Sequence, residues 1–318
     1  MALSEGTPRL PASTAGIGGG PAISVILAAD TYRGVHPARL EAFLEQSAGT
    51  DAFELITVDW ARDPRYRPLV ERLASHARAP RLEYVSTAAR GRAAMNNLGV
   101  ARARAPLLCF CADDFIPCRT FVASHLAYHA AHPEPTRVAI GPAASPPEMR
   151  RASPFLVWLE DTGQLFGAPL HDPAQPLPPR FFYVANASLK RSLNDQAGPF
   201  DERFPFPAYD DMEYGRRLTT LGMVSELVPG AGCIHDHLVT LGERRAQVGW
   251  AGVSAAILSR PTIASGERRR HLANVHVGAL RDWLRQARRD GPRIALWRLT
   301  LTATFLAAYR RQMMIATD

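Results

Sequence analysis

The chain has 318 residues, 47% of them hydrophobic and 21% charged, a balance that excludes a disordered or low-complexity polypeptide and allows one large core or two modest ones. The formal net charge is +7, yet Lys190 is the only lysine and the rest of the positive charge is arginine, so the basic balance carries little weight as a sign of nucleic-acid binding. No run approaches the ~18 apolar residues that would span a bilayer.

Residues 1–20, rich in Gly, Ser, Thr and Pro and lacking an apolar signal core, are expected to form a flexible leader, with a cytoplasmic setting as the corollary. "AISVILAA" (22–29) has the β-branched, apolar character of a buried strand. "PARLEAFLEQSA" follows with Leu40, Phe43, Leu44 and Ser47 at helical spacing. "FELITV" (53–58), closed by Asp59, and "RLEYVS" (81–86) are the next strands, "GRAAMNNLGVARARA" (91–105) is a helix, and "PLLCFC" (106–111) is a fourth strand running into Asp113 and Asp114. Strand alternating with helix at this rhythm predicts a mostly parallel α/β sheet flanked by helices. Right-handed crossovers bring such strand ends to one edge, where ligands of open α/β sheets gather. Asp59, Asp113 and Asp114 fall on that edge.

Cys109, Cys111, Cys118 and Cys233 lack the paired C-x2-C spacing of a structural zinc site and are expected as reduced, packed thiols. Beyond them, "TRVAIG" (136–141) reads as a strand, "SPFLVWLEDTGQLFG" as partly helical, 168–180 as a proline-rich loop and "FFYVANASL" as strand again. "YDDMEYGRRLTTLG" (209–222) predicts a helix stopped by Gly222, and "MVSELVPGAGCIHDH" one or two strands delivering His235 and His237. Residues 241–318 predict a helical, arginine-rich extension broken at Pro261 and at 290–292, behind an α/β domain spanning 21–240. Within it, 293–311 suits either a packed helix or a helix lying on a membrane surface.

Four stretches have residue types suited to chemistry. Asp113 and Asp114 offer hard oxygen ligands to Mg²⁺ or Mn²⁺, or simply cap the helix that follows. Asp210 and Asp211 open a helix, where one aspartate serves as a cap and the second, with Glu213 behind it, adds the clustered charge that a general base in a cleft uses. Either His235 or His237 suits a metal ligand through its neutral imidazole, with a lone surface histidine as the alternative. Asn186 and Ser188 are polar residues in an apolar strand and need partners, either a ligand or internal ones.

Taken in order, these stretches resemble the family-2 glycosyltransferases of the GT-A fold, over roughly residues 22–260. "SVILAAD" is similar to that family's first strand, "FELITVD" to the strand whose last aspartate binds the nucleotide base, and "CADDFIP" to its metal-binding acidic motif. "VANASLKRSLNDQAGPFDERF" resembles the family's Asn-x-Ser and Gly-x-Phe-Asp-Glu-x-Phe segments, "YDDMEYGRRLTTLG" its Glu-Asp-x-Glu helix, and "PGAGCIHDH" its closing histidine strand. The resemblance implies inverting transfer of a sugar from a nucleotide-diphosphate donor to an acceptor hydroxyl. It implies Asp211 as the catalytic base; Ala29, Asp59, Arg92 and Asp113 toward the donor, with Arg90 beside Arg92; Asn186, Ser188 and Asp210 toward the sugar or acceptor; and Asp114 and His235 on Mn²⁺ or Mg²⁺. Two positions depart from the pattern. Ala112 stands where the acidic motif usually has an aspartate, and Asp210 replaces a glutamate. A metal-independent transferase of the same fold, or a sugar-nucleotide-binding protein without catalysis, are the alternatives. A peripheral contact at the inner face of the membrane through the C-terminal helices is a further expectation.

Overall fold

In a computed structural model of the chain, the structure describes residues 19–29, 34–60, 63–88, 91–172, 175–206 and 208–315. Most of the expected leader, and Arg90, lie outside the described residues. In chain order the elements are β1 (Ile23–Ala29), α1 (Pro37–Glu41), β2 (Phe53–Asp59), α2 (Tyr66–Ala74), β3 (Arg81–Ser86), α3 (Arg92–Arg102), β4 (Leu107–Ala112) and β5 (Phe115–Pro117). Then come α4 (Phe121–Ala131), β6 (Arg137–Ile140), β7 (Ala143–Ala144), α5 (Pro147–Ala152), α6 (Pro154–Asp161), β8 (Asn186–Lys190), α7 (Arg191–Ala197), α8 (Asp210–Thr220), β9 (Val224–Leu227) and β10 (Cys233–His235). Three long helices close the chain: α9 (Leu241–Ser259), α10 (Arg268–Ala287) and α11 (Pro292–Met313).

Among the described residues, seven strands form one sheet in the order β3-β2-β1-β4-β8-β6-β9, and β5, β10 and β7 form a second. The large sheet is parallel except for β8, which runs antiparallel to both β4 and β6. The central strands β1 and β2 are buried along nearly their whole length, as strands covered on both faces by helices must be. One apolar cluster lies around Val25, Leu27, Phe43, Phe53, Leu55 and Phe121; another gathers Phe110, Ile140, Phe182, Leu189, Phe200 and Tyr214.

The expected helix at the start of "PARLEAFLEQSA" is shorter than its spacing suggests. It tightens into a 3₁₀ turn at Ala42–Glu45. There Gln46 Nε2 donates to the carbonyls of Ala42 and Cys118, at 3.0 and 2.9 Å, taking the chain off the helical path. The strand expected from Phe181 starts only at Asn186, because Pro179–Phe181 is a 3₁₀ turn and Phe182 and Val184 are spent on the core.

The chain divides into two compact units, one of residues 1–201 and 211–238, the other of 202–210 and 239–318. In the second, a capping box opens α9: Thr240 Oγ1 accepts from the Glu243 amide at 3.2 Å and the Glu243 carboxylate accepts from the Thr240 amide at 2.9 Å. Helices α9 and α11 lie close together because position 252 is glycine. A Cβ there would stand 2.5 Å from the Phe305 carbonyl oxygen and 3.0 Å from the Ala308 side chain. Ala256, Leu272, Tyr309 and Met313 form the small core of this unit. In the arginine-flanked segment 293–311, Trp297, Leu301 and Tyr309 are buried, while Leu296 and Leu299 remain exposed.

Candidate active site

The strand ends define the site. Asp59, the last residue of β2, sits beside Ala29 of β1 and Ser86 of β3 in the sheet register. The amide of Trp60 donates to the Ala29 carbonyl at 3.0 Å, tying the two chain turns together. Asp59 is buried, and its Oδ2 accepts from the Tyr84 hydroxyl at 2.7 Å. Burial, and then the hydrogen bond to Asp59, push the Tyr84 phenol up to about 12, so it remains a donor. The Tyr66 ring lies 6.4 Å from that of Tyr84, and its buried hydroxyl has no hydrogen-bond partner among the described residues. Burial, reinforced by the carboxylates of Asp113 and Asp59, holds this second phenol well above its ordinary range. The result is a carboxylate acceptor flanked by two neutral phenols, suited to reading the polar edge of a flat ligand.

At the end of β4, Asp113 and Asp114 make a two-residue turn into β5. Strand β5 pairs antiparallel with β10, setting Phe115 opposite His235, and the amide of Asp236 donates to the Asp114 carbonyl at 2.9 Å. This pairing delivers His235 Nε2 to 3.2 Å from Asp114 Oδ2, with both side chains buried. The imidazole is held edge-on by Phe115 and Phe166, at ring separations of 5.7 and 4.8 Å. Phe166 takes a left-handed backbone, φ 52°, to reach it, a conformation that bulky residues adopt only when their surroundings impose it. Arg39, 4% exposed, ties this loop to the next: its Nε and Nη2 donate to the side chain and carbonyl of Asp236, at 3.1 and 2.6 Å, and its Nη1 to the Asp113 carbonyl at 3.4 Å.

The donor set of Asp114 and His235 fits a divalent cation. Neighbouring ligands on an octahedral ion with bonds of about 2.1 Å stand about 3 Å apart, close to the 3.2 Å between these two atoms. Among the described residues, no group of three or more His, Cys, Asp or Glu side chains suits a metal. A pair alone fits an ion that completes its shell with substrate phosphate oxygens and water, as Mg²⁺ commonly does.

Asp211 and Arg92 meet from different elements. Arg92 opens α3, Asp211 lies in the first turn of α8, and Nη2 of the arginine is 3.3 Å from Oδ2 of the aspartate. Both side chains keep some exposure, 24% and 17%, so a ligand can reach them. The rest of α8 is anchored firmly. Tyr214 stacks on Phe200 at 4.0 Å and donates to Asn194 at 2.8 Å, while Arg217 binds Glu213 and the carbonyls of residues 197–199.

Three residues are assigned by resemblance to the sugar or acceptor side. Asn186, Ser188 and Asp210 have no exposed surface. Asn186 bonds His125 and the Ala231 carbonyl, at 3.0 and 2.8 Å, and Ser188 bonds His125 and His129, at 2.8 and 2.9 Å. The internal-partner reading describes this strand pair. Sequence reasoning missed Tyr66, Tyr84, Arg39, His125 and His129. Each earns its place only through a partner brought near by the sheet order, and the single hint was the run of histidines on one helix in "SHLAYHAAH".

No protein-family model and no curated protein matches the sequence. Solved structures do match. A mannosyltransferase from Pyrobaculum calidifontis, in complex with GDP-Man and Mn²⁺, aligns over 98% of this chain and 91% of its own, with TM-score 0.60 and 18% identity. S. aureus TarS residues 1–349, in complex with UDP, aligns over 92% of this chain and 90% of its own, with TM-score 0.52 and 11% identity. GalNAc-T7, with UDP, GalNAc and Mn²⁺, aligns over 69% of this chain and 43% of its own, with TM-score 0.51 and 10% identity. At these identities the likeness is one of fold: an α/β architecture of the GT-A glycosyltransferase type, with helices α9–α11 following the sheet.

Proposed function

We propose that this chain is an inverting glycosyltransferase, moving a sugar from a nucleoside-diphosphate donor to an acceptor hydroxyl. The observation that carries the reading is the pairing of Asp114 with His235 at the same sheet edge as the strand-end Asp59. Asp59, with its two phenols, would hold the base of the donor, and Asp113 its ribose or sugar. Asp211 would accept the proton of the acceptor hydroxyl as the oxygen attacks the anomeric carbon. The bond from that carbon to the phosphate oxygen breaks on the opposite face, its electron pair leaving with the diphosphate, so no covalent sugar–enzyme intermediate forms. A divalent ion on Asp114 and His235, Mn²⁺ or Mg²⁺, would stabilise the charge developing on the diphosphate. Arg92 would serve twice, as the partner of Asp211 before the donor arrives and of the diphosphate afterwards.

The solved structures of this fold bound to Mn²⁺ and to UDP or GDP-Man support the reading by analogy of fold. A metal-independent transferase is the second reading, favoured by Ala112 at the acidic motif and by a metal pair rather than a trio. Release of nucleoside diphosphate from a panel of sugar nucleotides, with Mn²⁺ and with EDTA, decides between them. Mn²⁺-dependent release is expected; chelator-insensitive release supports the second reading, and binding without release refutes transfer. We also assign the C-terminal unit a peripheral contact with an anionic membrane. The described residues contain no helix long and apolar enough to cross one.

A further inference from the structure

A chain of buried polar side chains crosses the core of the first unit from α4 through β8 to the loop before β10. Lys190 Nζ lies 3.4 Å from His129 Nδ1, His129 Nε2 lies 2.9 Å from Ser188 Oγ, and Ser188 Oγ lies 2.8 Å from His125 Nδ1. His125 Nε2 then lies 3.0 Å from Asn186 Oδ1, and Asn186 Nδ2 donates to the Ala231 carbonyl at 2.8 Å and to Cys233 Sγ at 3.4 Å. His125, His129, Ser188 and Asn186 are at most 5% exposed, so their polar atoms depend on one another.

Both ends of the chain dictate the same proton order. An ammonium only donates, so His129 Nδ1 must be bare and its Nε2 must carry the hydrogen. The Ala231 carbonyl only accepts, so Asn186 must present its amide nitrogen there and its oxygen to His125, whose Nε2 therefore carries a hydrogen and whose Nδ1 is bare. Between the two rings, Ser188 accepts from His129 and donates to His125. The assignment closes with every link made by one donor and one acceptor, and with both imidazoles neutral. The reverse order would set two acceptors against each other at Asn186 and two donors at Lys190. The other donors of Lys190 reach the carbonyls of His132 and Glu134, at 2.7 and 2.8 Å. Three acceptors thus surround three ammonium hydrogens at the single lysine of an arginine-rich chain, a place where a planar guanidinium could not substitute.

We propose that His125 and His129 are positioning residues: through Ser188 and Asn186 they form a one-way hydrogen-bond chain that fixes the Gly230–His235 segment, and with it the imidazole of His235. The far end is built for this. Glycine at 141 lets Asn186 in, since a Cβ there would stand 2.2 Å both from Asn186 Nδ2 and from the Ala231 carbonyl oxygen. The Cys233 amide, two residues before His235, donates to the Pro142 carbonyl at 2.9 Å, so the segment is gripped from both sides. The consequence for the metal rests on the function proposed above; the order of the chain does not.

Imidazole ¹⁵N NMR of the full chain at pH 7 tests the order directly. Both His125 and His129 are expected as neutral Nε2–H tautomers, and a charged ring or an Nδ1–H tautomer at either overturns the proposal. Ser188→Ala cuts the middle link while removing one atom. The amide signals of Ala231 and Cys233 are expected to shift, and the Mn²⁺ half-saturation of the chain to rise about fivefold, the weight of one hydrogen bond. Lys190→Arg is expected to disturb the His129 tautomer although it keeps the charge. Unmoved Ala231 and Cys233 signals in a folded Ser188→Ala variant would refute the positioning role. If the parent chain shows no Mn²⁺ dependence, the metal part of the proposed function fails, and the tautomers and amide signals alone judge the positioning chain.

Discussion

At the scale of single residues, the most informative contact is the one between Asp211 and Arg92. A base must be free to take a proton, yet Oδ2 of Asp211 faces a guanidinium at 3.3 Å and Oδ1 accepts from the Met212 amide at 2.9 Å. The proposed chemistry therefore needs Arg92 to turn toward an incoming diphosphate. Asp211→Asn keeps the shape and removes the basicity; kcat for sugar transfer is expected to fall at least about 100-fold, the usual weight of a general base. Donor affinity, measured by nucleotide titration, should stay within about twofold. Arg92→Ala should behave differently, raising the donor KM about tenfold through loss of a charge-assisted phosphate contact. A loss of kcat as large as that of Asp211→Asn, with KM unchanged, would place Arg92 outside the diphosphate region.

At the scale of elements, α4, β8 and β10 act together. Gly141→Ala should destabilise the fold by about 1–3 kcal/mol in urea unfolding, the range of overpacked cores, because the new methyl meets both the Ala231 carbonyl and Asn186. Acid should do the same by another route. Burial holds His125 down to about 4 and His129 down to about 3, from 6.5. Since the unfolded chain protonates first, the stability tied to these neutral rings is fully present above about pH 6.5 and is lost progressively as pH falls toward their folded values. The urea midpoint should therefore drop between pH 6.5 and pH 4.5, before most carboxylates titrate, and the drop should be about half as steep in His125→Gln. The strands and helices of this region were legible in the sequence because strand and helix periods survive in a linear reading. The polar chain was not. Asn186 and Ser188 were visible as polar residues in an apolar strand, but their partners lie about sixty positions earlier, on a helix that β8 meets only because it inserts antiparallel between β4 and β6. Tyr84 escaped notice for the same reason: its hydroxyl matters through Asp59, on the neighbouring strand.

At the scale of the whole molecule, charge is distributed unevenly. Residues 268–299 hold nine arginines against two aspartates, an excess of seven that equals the net charge of the entire chain. The remainder is balanced, so the basic character read from composition belongs to α10 and the start of α11. On α10, Val277, Leu280 and Leu284 recur at helical spacing and are each about half exposed. Arg281, Arg285 and Arg288, also exposed, stand among and beside them. An apolar stripe edged by arginine suits the boundary of an anionic bilayer, where the side chains enter and the guanidinium groups meet lipid phosphate. Segment 293–311, which by sequence suits either a packed helix or a membrane-surface helix, buries Trp297, Leu301 and Tyr309, so the stripe on α10 is the surface we propose for this role. The full chain should co-sediment with vesicles containing phosphatidylglycerol and not with pure phosphatidylcholine. Binding should weaken sharply near 0.5 M salt, where the Debye length falls to about 4 Å. Leu280→Ser with Leu284→Ser should reduce binding at low salt without altering nucleotide affinity, because the apolar stripe supplies insertion and the arginines only approach. Equal binding of this double variant would assign the attraction to charge alone, and no binding of the parent chain would remove the membrane from the proposed function.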